Sequence, residues 1–371
     1  MPRSWNLRWR FTKPRPIARG LGLACVLAIT GAALTAPVNA ESPTGSTPLR
    51  RIAFGSCIRQ DHPAPILETV RQSDPDLVIF LGDNIYADTT DMQVMRAKYD
   101  RLAAIPEFAR LRREKPILAT WDDHDFGVND GGADYPQREG SRENFLRFWG
   151  FAEDSPVWQH EGIYDAHVFG PEGQRVQIIL LDTRYNRSPL KQGERRLGGP
   201  HVPDADPSKT MLGEAQWAWL KEQLLKPAEV RILATSIQLL ASDAGQETWA
   251  NLPLERQRLI RLIRETKASG VIAISGDRHW AELSIDNESL DYPLLDLTSS
   301  SFNQLHERGT PTDNRARAEP TTYHRENFGQ IEIDWQEADP SIRLSIHDME
   351  GQVRLEKRLR LSDLRANVGS D

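Results

Sequence analysis

Six short polar runs in this chain gather the residue types that do metal and acid–base chemistry. They are Gly55-Ser56-Cys57, Gly82-Asp83-Asn84-Ile85-Tyr86, Trp121-Asp122-Asp123-His124-Asp125, Asp182-Thr183-Arg184-Tyr185, Ser236-Ile237-Gln238 and Ser275-Gly276-Asp277-Arg278-His279-Trp280. Each follows an apolar run, so each falls where a buried strand should end. Open α/β sheets bind ligands beyond the carboxyl ends of their strands. Carboxylates, a thiol, a phenol and imidazoles collected along one rim point to a cation cluster, because such donors are drawn together by a shared ion. Taken singly, each run has a plainer reading. Aspartate after glycine is a common turn former or helix cap, and Asp277 with His279 could be a surface pair. Their common placement at strand ends is what the plainer reading leaves unexplained.

The elements that must position these runs are legible as apolar periodicity. Strands are expected at 51–57, 76–81, 116–121, 176–181, 230–236 and 270–274, most of them continuous apolar runs of the kind buried on both faces. Helices are expected between them at 65–72, 92–113 with an interruption at Pro106, 141–149, 213–225 and 254–267. Alternating strand and helix indicate an α/β domain with a largely parallel or mixed sheet. Residues 330–335, 341–347 and 353–361 alternate apolar and polar, and 349–352 reads as a turn, which predicts a C-terminal antiparallel hairpin. Residues 298–327 form the one extended irregular stretch, a length usually reserved for loops that line a site or move over it. Its histidines, His306 and His324, read as solvated.

Composition narrows the function further. The chain has 371 residues, 39% hydrophobic and 27% charged, which excludes disorder as its overall state. Two cysteines, Cys25 and Cys57, exclude a disulfide scaffold and a thiolate zinc cluster. A net charge of −7 gives no indication of a nucleic-acid partner. The first 40 residues differ from the rest: Arg3, Arg8, Arg10, Lys13, Arg15 and Arg19 without an acid, an apolar stretch from 21 to 36, then Val38-Asn39-Ala40. This is the pattern of a secretory signal peptide, too short in its apolar part for a spanning helix. The expected organisation is therefore a signal peptide over 1–40 and one catalytic domain over 41–371, in a periplasmic or secreted protein with no stable membrane anchor after cleavage. Losing the six basic residues takes the net charge from −7 to −13. Cys57 is then a lone thiol in an oxidising compartment, so it is either simply buried or held as a ligand. A thiol redox function lacks a second cysteine to resolve it. Oligomeric state has no signature in the sequence.

At this point the runs resemble a known group. Gly82-Asp83-x-x-Tyr86, Asp123-His124-Asp125 and Gly276-Asp277-x-His279 look like the ordered blocks of the calcineurin-like metallophosphoesterases. More narrowly, Phe54-Gly55-Ser56-Cys57, Trp121-Asp122-Asp123-His124 and Leu181-Asp182-Thr183-Arg184 resemble the PhoD-like alkaline phosphatase D family, with Asn303-Gln304 and Asn327-Phe328-Gly329 as weaker echoes. The resemblance implies a four-layer αββα sandwich and metal-dependent hydrolysis of a small-molecule phosphate ester. It also implies Cys57, Asp83, Tyr86, Asp123, Asp277 and His279 as metal ligands, with Asp83 bridging. His124 would be the general acid that protonates the leaving oxygen after attack by a metal-bound hydroxide. The family implies Fe(3+) with Ca(2+); Mn(2+), Mg(2+) and Zn(2+) are the other candidates. Asp277 and Gln238 stand where histidines are more usual in the superfamily, which shifts the second position toward oxygen-seeking cations.

Arg184 and Arg278 are the candidates to hold phosphate oxygens, the other possibility being an ion pair with a nearby carboxylate. Asp122 and Asp125 could bind a further cation or orient His124. The family often carries a β-rich domain ahead of the catalytic one, and only residues 41–53 lie between the expected cleavage site and Phe54 here, so substrate size is not carried over. The alternative activity is a phosphodiesterase or phospholipase D-like hydrolase on the same site. A secreted metal-binding protein with a dead site is the non-enzymatic reading.

Overall fold

A computed structural model describes residues 45–196, 198–242, 245–306 and 314–365. The expected signal peptide and Cys25 lie outside the described residues. The apolar runs form the parallel core of two sheets. In the first, β1 (Arg51–Gly55), β2 (Leu77–Leu81) and β3 (Ile117–Thr120) lie side by side in parallel. Three later strands, β12 (Phe328–Asp334), β13 (Ser341–His347) and β14 (Val353–Arg360), continue this sheet antiparallel from the free side of β1, in the order β14-β13-β12-β1-β2-β3. The C-terminal hairpin is thus part of the first sheet.

The second sheet has the order β10-β11-β9-β8-β5-β4, with β5 (Val176–Leu180), β8 (Val230–Ala234), β9 (Val271–Ser275) and β11 (Leu294–Ser299) parallel. The edge strands β4 (Asp165–Phe169) and β10 (Ala281–Asp286) run antiparallel. A two-stranded ribbon, β6 (Gln192–Arg196) and β7 (Gly199–His201), stands apart.

Period-two alternation in the first sheet builds the layers. Ile52, Phe54, Leu77, Ile79 and Leu81 join a core shared with the second sheet and with Trp217, Leu220, Leu259 and Ile263. Those last four belong to helices α6 (Glu214–Leu224) and α7 (Pro253–Glu265). The alternate residues Ala53, Val78 and Phe80 pack instead against Leu67, Tyr99, Phe108 and Phe145. These come from α1 (Ile66–Gln72), α2 (Met92–Ala104), α3 (Pro106–Glu114) and α5 (Arg138–Trp149). Helix, sheet, sheet, helix is the four-layer sandwich. Pro106 divides the expected long helix as its ring requires: Ile105 is extended, and the proline opens α3 where no amide hydrogen bond is lost.

The strands β4, β10 and β11 were not expected from the sequence. Buried polar residues interrupt their apolar pattern: His167 in β4, Glu282 and Ser284 in β10, Asp296 in β11. Asp296 is satisfied by Ser275 Oγ at 2.7 Å and by the amides of Leu239 and Leu240 at 2.8 and 3.0 Å. The stretch from 298 is also less irregular than expected. It begins inside β11, and bridges from Arg317 to Ser284 and from Tyr323 to Ala281 lay its far end along β10. His306 and His324 are half-buried against Trp280, at ring-centroid distances of 6.1 and 5.6 Å, so they are packed rather than solvated. Among the described residues no helix is long and apolar enough to cross a membrane.

Candidate active site

The polar runs meet where the two sheets present their strand ends. The turn after β1 carries Cys57, whose amide donates to Gly82 O at 3.2 Å, while the amide of Ile58 donates to Asp83 O at 2.9 Å. These bonds lock the first two runs together. Gly82 is required at its place: its φ is +103°, and a Cβ there would lie 2.5 Å from Asp122 N and Cβ. Cys57, Asp83, Asp277 and His279 all adopt positive φ, between 50° and 67°. Non-glycine residues pay for that conformation in backbone strain, and such strain concentrates at functional positions.

Asp125 serves the scaffold. The third run forms a four-residue helix, α4 (Asp123–Phe126), and the Asp125 carboxylate accepts from the amides of Asp122 at 2.7 Å and Asp83 at 3.1 Å and from Asn84 Nδ2 at 2.6 Å. Burial raises its pKa to about 7 despite those bonds. Asp182 is likewise a turn former, accepting from Trp121 Nε1 and from the amides of Arg184 and Tyr185, each at 2.9 Å. Gln238 points to Glu282 at 2.5 Å and Thr298 at 2.9 Å.

The remaining groups converge. One ligand atom from each of Cys57, Asp83 and His279 lies within 4.8 Å of the others. The same holds for Asp83, Asp123 and His124, and for Asp83, Asp122, Asp123 and Asp277. The Cys57 thiol donates to Asp83 Oδ2 at 3.6 Å, and the Tyr86 hydroxyl lies 3.0 Å from His279 Nε2. Asp83 is common to all three groups.

The electrostatics of this cluster require a counter-charge. Burial, then the neighbouring carboxylate of Asp123, pushes Asp83 well above the ordinary carboxylate range. Burial also pushes up Asp277, and burial with the Asp83 charge pushes up the Cys57 thiol and the Tyr86 phenol. His279 is driven down to about 3 by burial and by Arg278, which leaves a neutral imidazole, the ligating form. Asp122 Oδ2 is buried with no hydrogen-bond partner. Donors that resist ionising alone, one orphaned carboxylate oxygen and a neutral imidazole are what a cation-binding site needs, so the residues present fit bound metal.

His124 lies beside this cluster. Its amide donates to Asp123 Oδ1 at 2.8 Å, its ring packs on Tyr86 at 4.4 Å, and its Nδ1 lies 2.7 Å from Asp88 Oδ1. Burial works against its charged form, but Asp83, Asp123 and Asp88 together raise its pKa to about 11. Asp88 was not singled out in the sequence. It orients His124, which neither Asp122 nor Asp125 does.

Of the two readings of Arg184, the structure has the ion pair. Its guanidinium is fully buried, donating through Nε to Asp122 Oδ1 at 2.6 Å and meeting Glu247 Oε2 at 2.5 Å. Arg187 shares Glu247 at 3.0 Å. Glu247 also groups with Asp123 and Asp130 in a further set of close acidic ligands. It was not found from the sequence, because nothing in its local run marks it. Arg278 pairs with Asp277, and its Nε and Nη1 are buried without a hydrogen-bond partner.

Known proteins resemble this chain in sequence and in fold. The sequence profile of the PhoD-like phosphatases matches residues 52–344. Alkaline phosphatase D of Bacillus subtilis (strain 168) is 24% identical over 291 residues, covering 67% of this chain and 49% of that protein. The chain therefore spans about half the length of this curated relative. Among solved structures, PhoD superposes with a TM-score of 0.64 at 17% identity, over 85% of this chain and 72% of that one. A dimetal phosphatase from Danio rerio gives 0.51 at 13% identity, over 86% of this chain and 100% of that one. At these identities the structural likenesses are of fold.

Proposed function

The chain belongs to the PhoD-like phosphatase family, and from that premise we propose that it hydrolyses phosphate esters at the rim built around Asp83, with His124 as the general acid. The observation that carries this reading is the sharing of one buried carboxylate, Asp83, among three close ligand groups, since a bridging carboxylate is how two cations are held side by side. Cys57, Asp83, Tyr86 and His279 would hold one cation, and Asp83, Asp122, Asp123 and Asp277 the oxygen-rich second. Thiolate and phenolate donors favour Fe(3+) in the first position, and carboxylates favour Ca(2+), or Mn(2+) or Mg(2+), in the second. When bound, the cations neutralise phosphoryl charge and acidify water.

The protein's own residues supply the rest. Asp88 holds the Nδ1 proton of His124, so the opposite nitrogen carries the proton that the departing oxygen takes. With Arg184 committed to Asp122 and Glu247, Arg278 is the remaining one of the two arginines for the phosphoryl oxygens, its Nε and Nη1 lacking a protein partner although buried beside Asp277. The leader-like pattern of residues 1–40 supports export to the periplasm or beyond.

The test is metal analysis of natively purified protein with its visible spectrum, alongside hydrolysis of a monoester and a diester. Iron with a charge-transfer band that disappears in Cys57→Ser or Tyr86→Phe is expected, and so is turnover that a chelator abolishes. Protein that takes up no metal on reconstitution overturns the proposal. Full metal without turnover on any phosphate ester leaves a binding protein instead.

A further inference from the structure

The side of the rim facing solvent has a cation of its own. Arg184 is spent on Asp122 and Glu247 without exposure, and only 4% of the Arg278 side chain reaches solvent. Arg59, two residues past Cys57, is placed differently: 34% of its side chain is exposed. Its Cζ lies 5.2 Å from the centroid of the Tyr86 ring. That ring also packs on His124 and bonds His279, so Arg59 joins the same constellation from its open end.

The backbone of Arg59 is fixed while its guanidinium is left available. Asn303 clamps it reciprocally, its Oδ1 accepting from Arg59 N at 2.6 Å and its Nδ2 donating to Arg59 O at 3.1 Å. The guanidinium itself reaches Asp61 only through Nε at 3.4 Å, an exposed pair that water screens. Among the described residues, no protein group takes Nη1 or Nη2. A planar fork lying over the Tyr86 ring, with both terminal nitrogens open, suits two oxygens of one anion.

We propose that Arg59 binds terminal oxygens of the substrate phosphoryl group and selects phosphate monoesters over diesters. This inference rests on the phosphate-ester reading above. A monoester carries up to two negative charges and three terminal oxygens. A diester carries one charge and two such oxygens, and puts a second organic group where one oxygen would be. The guanidinium therefore gains more from the monoester.

The experiment compares wild type, Arg59→Gln and Arg59→Lys, all metal-loaded and checked for equal metal content. Nitrophenyl phosphate and bis(nitrophenyl) phosphate are the substrates, and direct titration with inorganic phosphate gives a readout independent of turnover. Losing a charge-assisted bond at a partly exposed site should raise the monoester KM and the phosphate Kd about tenfold in the glutamine variant. The diester kcat/KM should change by less than about threefold, and lysine, a point charge without the fork, should fall between. Equal loss on both esters, or unchanged phosphate affinity in Arg59→Gln, overturns the proposal. If wild type binds phosphate through Arg59 but turns over neither ester, the hydrolytic reading fails while the anion site stands.

Discussion

Replacing Asp88 with asparagine removes the charge that holds His124 while keeping a side chain of the same size. The contact is 2.7 Å, between His124 Nδ1 and Asp88 Oδ1. A hydrogen bond between charged partners contributes ~1.5–3 kcal/mol when protected from water. The Asp88 side chain is 46% exposed and that of His124 is 16% exposed, so the lower end applies, and kcat/KM for an alkyl phosphate should fall about tenfold. His124→Ala removes the proposed proton donor itself and should cost ~10²–10⁴-fold on the same substrate. The leaving group separates this role from a structural one. An alkoxide needs the proton, whereas a nitrophenolate departs without one, so both variants should lose far less on nitrophenyl phosphate. In the His124→Ala background, Asp88→Asn should add nothing, because its effect passes through the imidazole. Steady-state kinetics on the two substrates with the four proteins decides the matter. Equal slowing on both substrates, or additive losses in the double variant, would refute the assignment of the pair as proton donor and its orienting partner.

Three other outcomes follow from the geometry. Arg184→Met leaves Asp122 and Glu247 buried with part of their counter-charge gone, and should destabilise the protein by ~3–5 kcal/mol in urea unfolding; a loss under about 1 kcal/mol would show that the pair contributes little. Gly82→Ala should cost both stability and metal uptake, since a Cβ would press into Asp122 at 2.5 Å; normal metal content in a folded variant would contradict this. Away from the rim, Glu229 bonds Arg175 at 2.8 Å and, against its burial, Arg175 holds its pKa below the ordinary range. A lowered folded-state pKa stabilises above the unfolded value of ~4.3 and loses that benefit as pH falls through the lower one. The destabilisation caused by Arg175→Met should therefore be full at neutral pH and shrink in acid, and a constant difference down to pH ~3 would falsify the linkage.

The parts of the fold that could be read from sequence were those buried on both faces. β2, β5, β8 and β9 are fully buried, and their apolar runs say so directly. Strands such as β10 and β11 hide because their interior polar residues find partners elsewhere in the chain, which a local pattern does not record. The same limit governs the site. Cys57, Asp83, Tyr86, Asp123, Asp277 and His279 announce themselves by following apolar runs. Asp88 sits in no such run and reaches His124 through a positive φ of 43°. Glu247 meets Arg184 from a distant segment, and Arg59 is set by Asn303, far along the chain. Each of these depends on a tertiary contact rather than on spacing.

The pairing of β1 with β12 has a consequence for how the chain folds. Arg51 faces Glu332 across that ladder, so the first strand of the central sheet waits for some of the last residues to be made. Until then its unpaired edge is exposed, and such edges recruit other strands. Parallel neighbours β2 and β3 can assemble earlier but leave that edge open. Pairings this distant slow folding, because loop closure must precede the contacts that reward it. The three antiparallel strands at the end therefore act as a late closing step, and a chain cut before β12 would retain most of its rim residues yet present a sheet with an open side, prone to association rather than to catalysis.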